Sequence, residues 1–167
     1  LLVLRKVENN LKFYCHIGTG NYNPLTARKY TDLAILTSDH ALGADVNNVF
    51  AQLTGVGRNT PQNKIWIAPF TLRRELGKAI GRETVHAKNG KKSYIMAKIN
   101  ALTDEGIITK LYEASQAGVK IDLIIRGACG LRAGVKGLSE NIKVHSILGR
   151  FLEHSRVILF SNDGNNE

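Results

Sequence analysis

The sequence predicts an α/β fold with a mixed sheet flanked by helices, and its clearest support is a strand–helix–strand unit. An apolar run at 94–99 is followed by a helical apolar pattern after Asp104 and by a second apolar run at 119–125. Short links between such elements predict a parallel pair of strands with a right-handed crossover. The composition, 43% hydrophobic and 22% charged, is that of an ordinary globular protein.

The first part of the chain predicts a hairpin, a glycine loop, a strand and a helix. The turn signal Glu8-Asn9-Asn10 separates the two strands of the hairpin. The predicted elements are strands at 1–6 and 11–17, a loop at 18–24, a buried strand at 30–36 and a helix at 41–53.

A stretch rich in Gly, Pro, Asn and Thr at 54–63 predicts a domain boundary. We divide the chain into a first domain at 1–62 and a second at 63–167. The chain begins without Met inside an apolar run and stops inside a polar run, so we expect it to be a piece of a longer protein.

The second part predicts a helix between two strands before the strand–helix–strand unit begins. Thr71 is the predicted N-cap of that helix, Asp104 that of the next, and Gly118 its C-terminal glycine. The predicted elements are strands at 64–68, 93–99, 119–125, 142–148 and 157–160 and helices at 72–88 and 105–117.

The charge predicts a polyanionic partner. Lys and Arg number 23 against 14 Asp and Glu, which gives a formal net charge of +9. Such a surplus favours nucleic acid, anionic lipid or polyphosphate, although the dispersed basic residues also fit a solvated basic surface. Cys15 and Cys129 lie far apart, and we interpret them as free, buried thiols of a cytosolic protein, with a disulfide between them as the alternative.

His154 and Arg156 are the first candidate site residues. If the apolar strand at 157–160 extends back to His154, alternation places both side chains on one face. Imidazole can transfer a proton or attack phosphorus near neutral pH, and a guanidinium can hold phosphoryl oxygens. The pair therefore predicts phosphoryl transfer, and the alternative is a histidine that ends a strand beside a solvent-exposed arginine.

Two glycine-rich loops are candidate phosphate sites. Arg126 ends a predicted strand, at the edge where α/β sheets bind ligands, and a glycine-rich loop follows it. In the loop at 18–24, Thr19 and Asn21 could add side-chain donors to a phosphate cradle. The alternatives are a surface arginine and a simple turn.

Eight strings in one order resemble the bacterial-type polyphosphate kinases, which belong to the phospholipase D superfamily. They are His-Ile-Gly-Thr-Gly-Asn-Tyr-Asn at 16–23, Tyr-Thr-Asp at 30–32, Ala-Pro-Phe at 68–70, Leu-Arg-Arg-Glu-Leu at 72–76, Ala-Lys-Ile-Asn-Ala-Leu-Thr-Asp at 97–104, Leu-Tyr-Glu-Ala-Ser at 111–115, Ile-Arg-Gly-Ala-Cys at 125–129 and Gly-Arg-Phe-Leu-Glu-His-Ser-Arg at 149–156. The resemblance implies the end of one phospholipase D-like domain and most of a second.

The family's activity is the reversible transfer of the terminal phosphate of ATP to polyphosphate through a phosphohistidine, with Mg²⁺. The resemblance implies that Tyr30, Arg126 and His154 bind ATP and that His154 is also catalytic. The residue patterns described above make Arg156, Thr19 and Asn21 candidate phosphate contacts. It further implies ATP, ADP and polyphosphate as partners, a cytoplasmic homo-oligomer and no nucleic acid. Membrane association, if it occurs, would be peripheral.

The departures from the family pattern define the alternatives. The phosphorylated histidine and the magnesium ligands of the family are expected upstream of Leu1, so we expect the chain alone to be inactive and to bind no metal. The phospholipase D signature, His-x-Lys and then Asp after four residues, is broken because Arg156 replaces Lys and Ser161 replaces Asp. A phospholipase D-type phosphodiesterase or nuclease is one alternative, and a non-enzymatic nucleic-acid-binding domain is the other.

Overall fold

A computed structural model describes residues 1–56 and 62–167, and this part of the chain is α/β, as predicted. The stretch at 54–63, where a domain boundary is predicted, includes 57–61, which lie outside the described residues. The strands are β1 (Leu2–Val7), β2 (Asn10–Gly18), β3 (Tyr30–Thr31), β4 (Ala34–Thr37), β5 (Tyr94–Ile99), β6 (Lys120–Ile125), β7 (Ile142–His145), β8 (Leu152–Glu153) and β9 (Val157–Phe160). The helices are α1 (Pro24–Ala27), α2 (His40–Leu53), α3 (Leu72–Lys88) and α4 (Glu105–Gln116), and a 3₁₀ turn follows at Asn162–Gly164.

The first part of the chain forms an antiparallel sheet in the order β1-β2-β4, against which α2 packs. The predicted hairpin is confirmed, and Glu8 makes its turn with a φ of 55°. A Cβ at Gly43 of α2 would lie 2.3 Å from the Cβ of Phe13. Glycine therefore lets the helix rest directly on β2.

The second part forms a mixed sheet in the order β7-β6-β5-β9, in which only β9 is antiparallel to its neighbour. The predicted strand–helix–strand unit is confirmed as β5, α4 and β6. Asp104 caps α4 by accepting a hydrogen bond from the Ile107 N–H (2.9 Å), and Gly118 has a φ of 100°. The main core lies between this sheet and the helices α3 and α4; its largest buried members are Ile80, Ile95, Ile121, Leu123 and Ile142.

A short parallel ladder joins the two parts. Tyr30 and Thr31 of β3 pair with Leu152 and Glu153 of β8. A second connection involves Asp45 of α2, whose buried carboxylate accepts hydrogen bonds from the backbone N–H groups of 63–65. These bonds attach the chain at the end of the predicted boundary stretch to α2. The ladder is what brings distant candidate residues together.

Two predicted strands are wrong. The predicted buried strand at 30–36 is split into β3 and β4, because β3 pairs with β8 whereas β4 pairs with β2. Between them, Leu33 bonds to Thr19 through both of its backbone groups. Leu36 is 82% exposed, so β4 is not buried. Residues 64–68 form no strand. Thr71 is the N-cap residue of α3, as predicted, but its side chain makes no capping hydrogen bond and its hydroxyl instead accepts from the Ile67 N–H (2.8 Å).

The predicted extension of the last strand to His154 is also wrong. β8 ends at Glu153 and β9 begins at Val157, so the alternation argument does not apply to 154–156. The N–H groups of His154 and Ser155 both donate to the Thr31 carbonyl (3.1 and 3.0 Å), which ends the β3–β8 ladder. β9 is less buried than predicted, since Val157 is 43% exposed and only Phe160 is fully buried.

The predicted strand at 142–148 is shorter than expected and ends at His145. Among the described residues, no helix is both long and apolar enough to span a bilayer.

Candidate active site

His154 lies at the junction of the two parts of the chain. Its Nδ1 is 3.1 Å from Oδ1 of Asp32, and both side chains are 21% exposed. Its Nε2 is 3.4 Å from Nη1 of Arg156, which also donates to the His154 carbonyl (3.0 Å). The predicted closeness of the imidazole and the Arg156 guanidinium is present, although 154–156 lie between two strands and not on a strand face.

These two contacts select a tautomer for neutral His154. A carboxylate only accepts hydrogen bonds and a guanidinium only donates them. The network therefore assigns the proton to Nδ1, facing Asp32, and the lone pair to Nε2, facing Arg156. Nε2 is thus the ring atom that points away from Asp32 and toward the guanidinium.

Asp32 is itself held by the glycine loop. The Thr19 hydroxyl donates to the same Oδ1 of Asp32 (2.9 Å), and the Thr19 N–H donates to the Leu33 carbonyl (3.0 Å). A Cβ at Gly20 would lie only 2.6 Å from Oδ2 of Asp32. The loop therefore needs glycine there to approach the carboxylate, and both Thr19 donors are used inside the protein.

Tyr30 covers one face of the imidazole. The two rings stack with their centroids 5.1 Å apart and their planes 24° from parallel. Stacking on Tyr30 and the contact with Asp32 therefore hold the imidazole in the same orientation. Within the described chain, no hydrogen bond engages the Tyr30 hydroxyl, which leaves it able to meet a ligand.

Arg126 directly follows β6, at the carboxyl end of the strand as predicted, and is half-buried. One of its terminal nitrogens donates to the Glu153 carbonyl (3.4 Å) and the other to the Asn100 side-chain oxygen. The guanidinium therefore touches the residue immediately before His154. Its remaining N–H groups can bind an anion.

An ion pair at Glu153, the residue that precedes His154, joins β5 to β8. Nζ of Lys98 is 3.0 Å from Oε2 of Glu153, and the Thr31 hydroxyl donates to Oε1 (3.2 Å). The hydrogen bond from Lys98 lowers the pKa of the Glu153 carboxyl despite the opposing effect of burial. Glu153 therefore links both parts of the chain while it remains ionised.

Two cavities adjoin these residues. A cavity of about 310 Å³ is lined by Asn21, Tyr30 and Asp32 together with His16 and Tyr22, whose side chains contact each other. A larger, mostly apolar cavity of about 560 Å³ between α3, α4 and the sheet has Arg156 in its lining. Space for a ligand therefore exists beside Tyr30 and beside Arg156.

The structure brings together Tyr30, His154, Arg156 and Arg126, all of which the sequence singled out. Thr19 is adjacent through Asp32, and Asn21 is exposed in the lining of the smaller cavity. The assigned roles of these residues in ligand binding stay predictions. Asp32, Lys98, Asn100 and Glu153 were missed as site residues, although each stands inside a string that carried the resemblance.

The described residues contain no group of three or more His, Cys, Asp or Glu side chains that could hold a metal ion. The carboxylates nearest His154, those of Asp32 and Glu153, already accept hydrogen bonds or ion pairs from the protein. This donor set does not fit a magnesium ion by itself.

Family models of polyphosphate kinase match nearly the whole chain. C-terminal domain 1 of polyphosphate kinase matches residues 1–59, and C-terminal domain 2 matches residues 65–167. The boundary at 62–63 itself stays a prediction.

Full-length relatives and a solved structure agree with these matches. Polyphosphate kinases of Paraburkholderia phytofirmans and Neisseria meningitidis serogroup A are 52% and 53% identical to the chain over 98% of its length, which spans 24% of theirs. A crystal structure of polyphosphate kinase from Porphyromonas gingivalis superposes with a TM-score of 0.88 at 35% identity, covering 99% of this chain and 27% of that one. The chain spans about a quarter of these relatives, and it belongs to the polyphosphate kinase family, with the phospholipase D-like α/β architecture of that family.

Proposed function

We propose that the protein containing this chain is a polyphosphate kinase that transfers the terminal phosphate of ATP reversibly to inorganic polyphosphate through a phosphohistidine. The observation that carries the proposal is the placement of His154. Its ring is fixed on one side by Asp32 and Tyr30, and its Nε2 faces the Arg156 guanidinium. In the proposal the phosphorylated histidine belongs to sequence upstream of Leu1, so His154 is the second histidine of the site.

In this proposal His154 contacts the phosphates of the nucleotide. The protonated ring offers Nε2–H to a phosphate oxygen or to the departing ADP. Asp32 stabilises the charge of the protonated ring because its carboxylate accepts from Nδ1–H.

Cations around the transferred phosphate complete the proposal. The transferring phosphoryl group spreads negative charge over its oxygens, and its transfer depends on positioning and on nearby positive charge. Arg126 donates to the Glu153 carbonyl and Arg156 to the His154 carbonyl, so both guanidinium groups adjoin the His154 segment and supply that charge. The net charge of +9 supports a long phosphate polymer as the second substrate.

Magnesium remains a prediction from the resemblance, and no step above is assigned to it. When bound it would neutralise charge on the ATP phosphates. The homo-oligomeric state, the cytoplasmic location and the peripheral character of any membrane contact also stay predictions. The phosphodiesterase and nucleic-acid-binding alternatives find no support among the relatives, which are named polyphosphate kinases.

The proposal is tested in the full-length protein by following polyphosphate made from ATP. His154→Ala should abolish synthesis, whereas the control His145→Ala, which alters an exposed histidine at the end of β7, should leave it unchanged. Thermal unfolding of each variant checks that the fold survives. Full synthesis by a folded His154→Ala protein would overturn the role of His154, and no synthesis by the wild type would overturn the proposed function.

A further inference from the structure

Lys98 contacts both residues that flank His154 in the chain. It lies on β5, and its Nζ forms the 3.0 Å ion pair with Glu153. The same Nζ donates to the Ser155 hydroxyl and lies 3.5 Å from the Ser155 carbonyl. The side chains of Lys98 and Glu153 are only 20% and 21% exposed, and Ser155 is 4% exposed.

Arg126 holds the same segment from the neighbouring strand. Lys98 pairs in register with Ile124 of β6, and Arg126 follows that strand. Arg126 binds the backbone carbonyl of Glu153, whereas Lys98 binds its carboxylate. The backbone on both sides of His154 is therefore tied to β5 and β6.

This restraint matters because 154–156 belong to no strand. Strand pairing ends with β8, and β9 begins only at Val157. Apart from the two backbone bonds to the Thr31 carbonyl, side-chain contacts therefore hold this segment. A half-buried ion pair with additional hydrogen bonds is a rigid restraint, and removing one partner leaves the other charge uncompensated.

We infer that Lys98 is a positioning residue for His154: through Glu153 and Ser155 it fixes the segment that presents Nε2 to the nucleotide. The inference rests on the proposed function and deepens it. Among the described residues, Lys98 bonds to Ser155 and Glu153 and makes no hydrogen bond with the imidazole. Its effect on the reaction is therefore expected in kcat more than in the affinity for ATP.

The test compares variants of the full-length protein. Lys98→Met removes the charge and keeps the chain length, Lys98→Arg restores a cation, and Glu153→Gln removes the charge of the partner. Lys143→Met is the matched control, since Lys143 is an exposed lysine on the same sheet face, in register with Asp122 of β6. Among the described residues, no ion pair or hydrogen bond engages its side chain.

We expect Lys98→Met to lower kcat for polyphosphate synthesis about 10- to 100-fold, as small displacements of a catalytic group do. The KM for ATP should change less than about threefold, because the direct ligand contacts remain. Lys98→Arg should recover most of the lost kcat, and Lys143→Met should stay within about twofold of wild type.

A second measurement does not depend on turnover. Acylation of histidines by diethyl pyrocarbonate, followed by mass spectrometry, gives the modification rate of His154 relative to the exposed His145 in the same sample. If Lys98 positions His154, Lys98→Met should raise this ratio by about twofold or more, because the ring is released. A purely structural role would lower stability without changing the ratio under native conditions.

These measurements test the positioning role of Lys98 separately from the proposed kinase activity. Unchanged kcat and an unchanged His154 to His145 ratio in folded Lys98→Met would overturn the positioning role. Should Lys98→Met fail to fold, Glu153→Gln gives the same comparison with an isosteric change. A wild type without synthesis would overturn the proposed function, whereas the acylation ratio would still test the positioning of His154.

Discussion

Replacing Asp32 by Asn tests how the site fixes His154. The Asp32 carboxylate accepts from Nδ1–H, which leaves the Nε2 lone pair toward Arg156. An Asn side chain also offers two donors at nearly the same volume. If its amide faces the ring, the proton moves to Nε2, where it meets the guanidinium donor of Arg156. The variant should therefore disturb the tautomer without opening a cavity.

The size of the effect follows from the contact that is lost. A hydrogen bond to a charged group contributes about 1.5–3 kcal/mol. If that stabilisation is fully present in the transition state, its loss lowers kcat by about 10- to 150-fold, at about 1.4 kcal/mol per factor of ten. The Thr19 hydroxyl donates to the same Asp32 oxygen, so Thr19→Val should lower kcat in the same direction by a smaller factor.

The assay is steady-state synthesis of polyphosphate by the full-length protein at varied ATP, with kcat and KM separated. Asp39→Asn is the matched control, because Asp39 is an exposed N-cap of α2 and Asn also caps helices. Wild-type kcat in Asp32→Asn would refute the tautomer argument. A rise in KM alone for Thr19→Val would instead support the predicted phosphate contact of Thr19.

Three further changes test other parts of the structure. Arg126→Lys should raise the KM for ATP about tenfold, because one ammonium cannot bind the protein and a phosphate as a planar fork does; an unchanged KM would remove Arg126 from the ATP site. Glu83→Ala should lower the free energy of unfolding, measured in urea, by about 2–3 kcal/mol, because the fully buried carboxylate accepts hydrogen bonds from two backbone N–H groups. Glu113→Ala, at an exposed glutamate, is the control, and equal urea midpoints for the two variants would contradict the prediction. The Arg73 guanidinium lowers the pKa of Asp104 from 3.8 to about 2, so the stabilisation by this ion pair is present above about pH 4 and is lost as the pH falls toward 2. In Asp104→Asn the urea midpoint should therefore change less between pH 4 and pH 2 than in the wild type, and identical pH profiles would refute the prediction.

The elements that could be predicted from sequence are those whose signals are local. The unit β5–α4–β6 combines apolar periodicity with a capping Asp104 and a left-handed Gly118, and the structure uses both residues as predicted. The position of Arg126 followed directly, because it depends only on where β6 ends. In these cases all the residues that determine the element lie within one continuous stretch of the chain.

The elements that could not be predicted depend on partners far away in sequence. Asp32 and His154 are 122 residues apart, and they meet only because β3 pairs with β8. The same pairing splits the expected strand at 30–36 and ends β8 before His154, since Thr31 binds the backbone there. Apolar periodicity within either stretch contains no information about that ladder.

The β3–β8 ladder has only two residue pairs, so its backbone bonds alone hold the two parts of the chain together weakly. Three side-chain contacts reinforce it, namely Asp32 with His154, Thr31 with Glu153, and the stacked rings of Tyr30 and His154. The residues assigned to the chemistry therefore also form the joint between the parts. It follows that site variants should loosen this joint locally before they unfold the main core between α3, α4 and the second sheet, which none of these contacts enters.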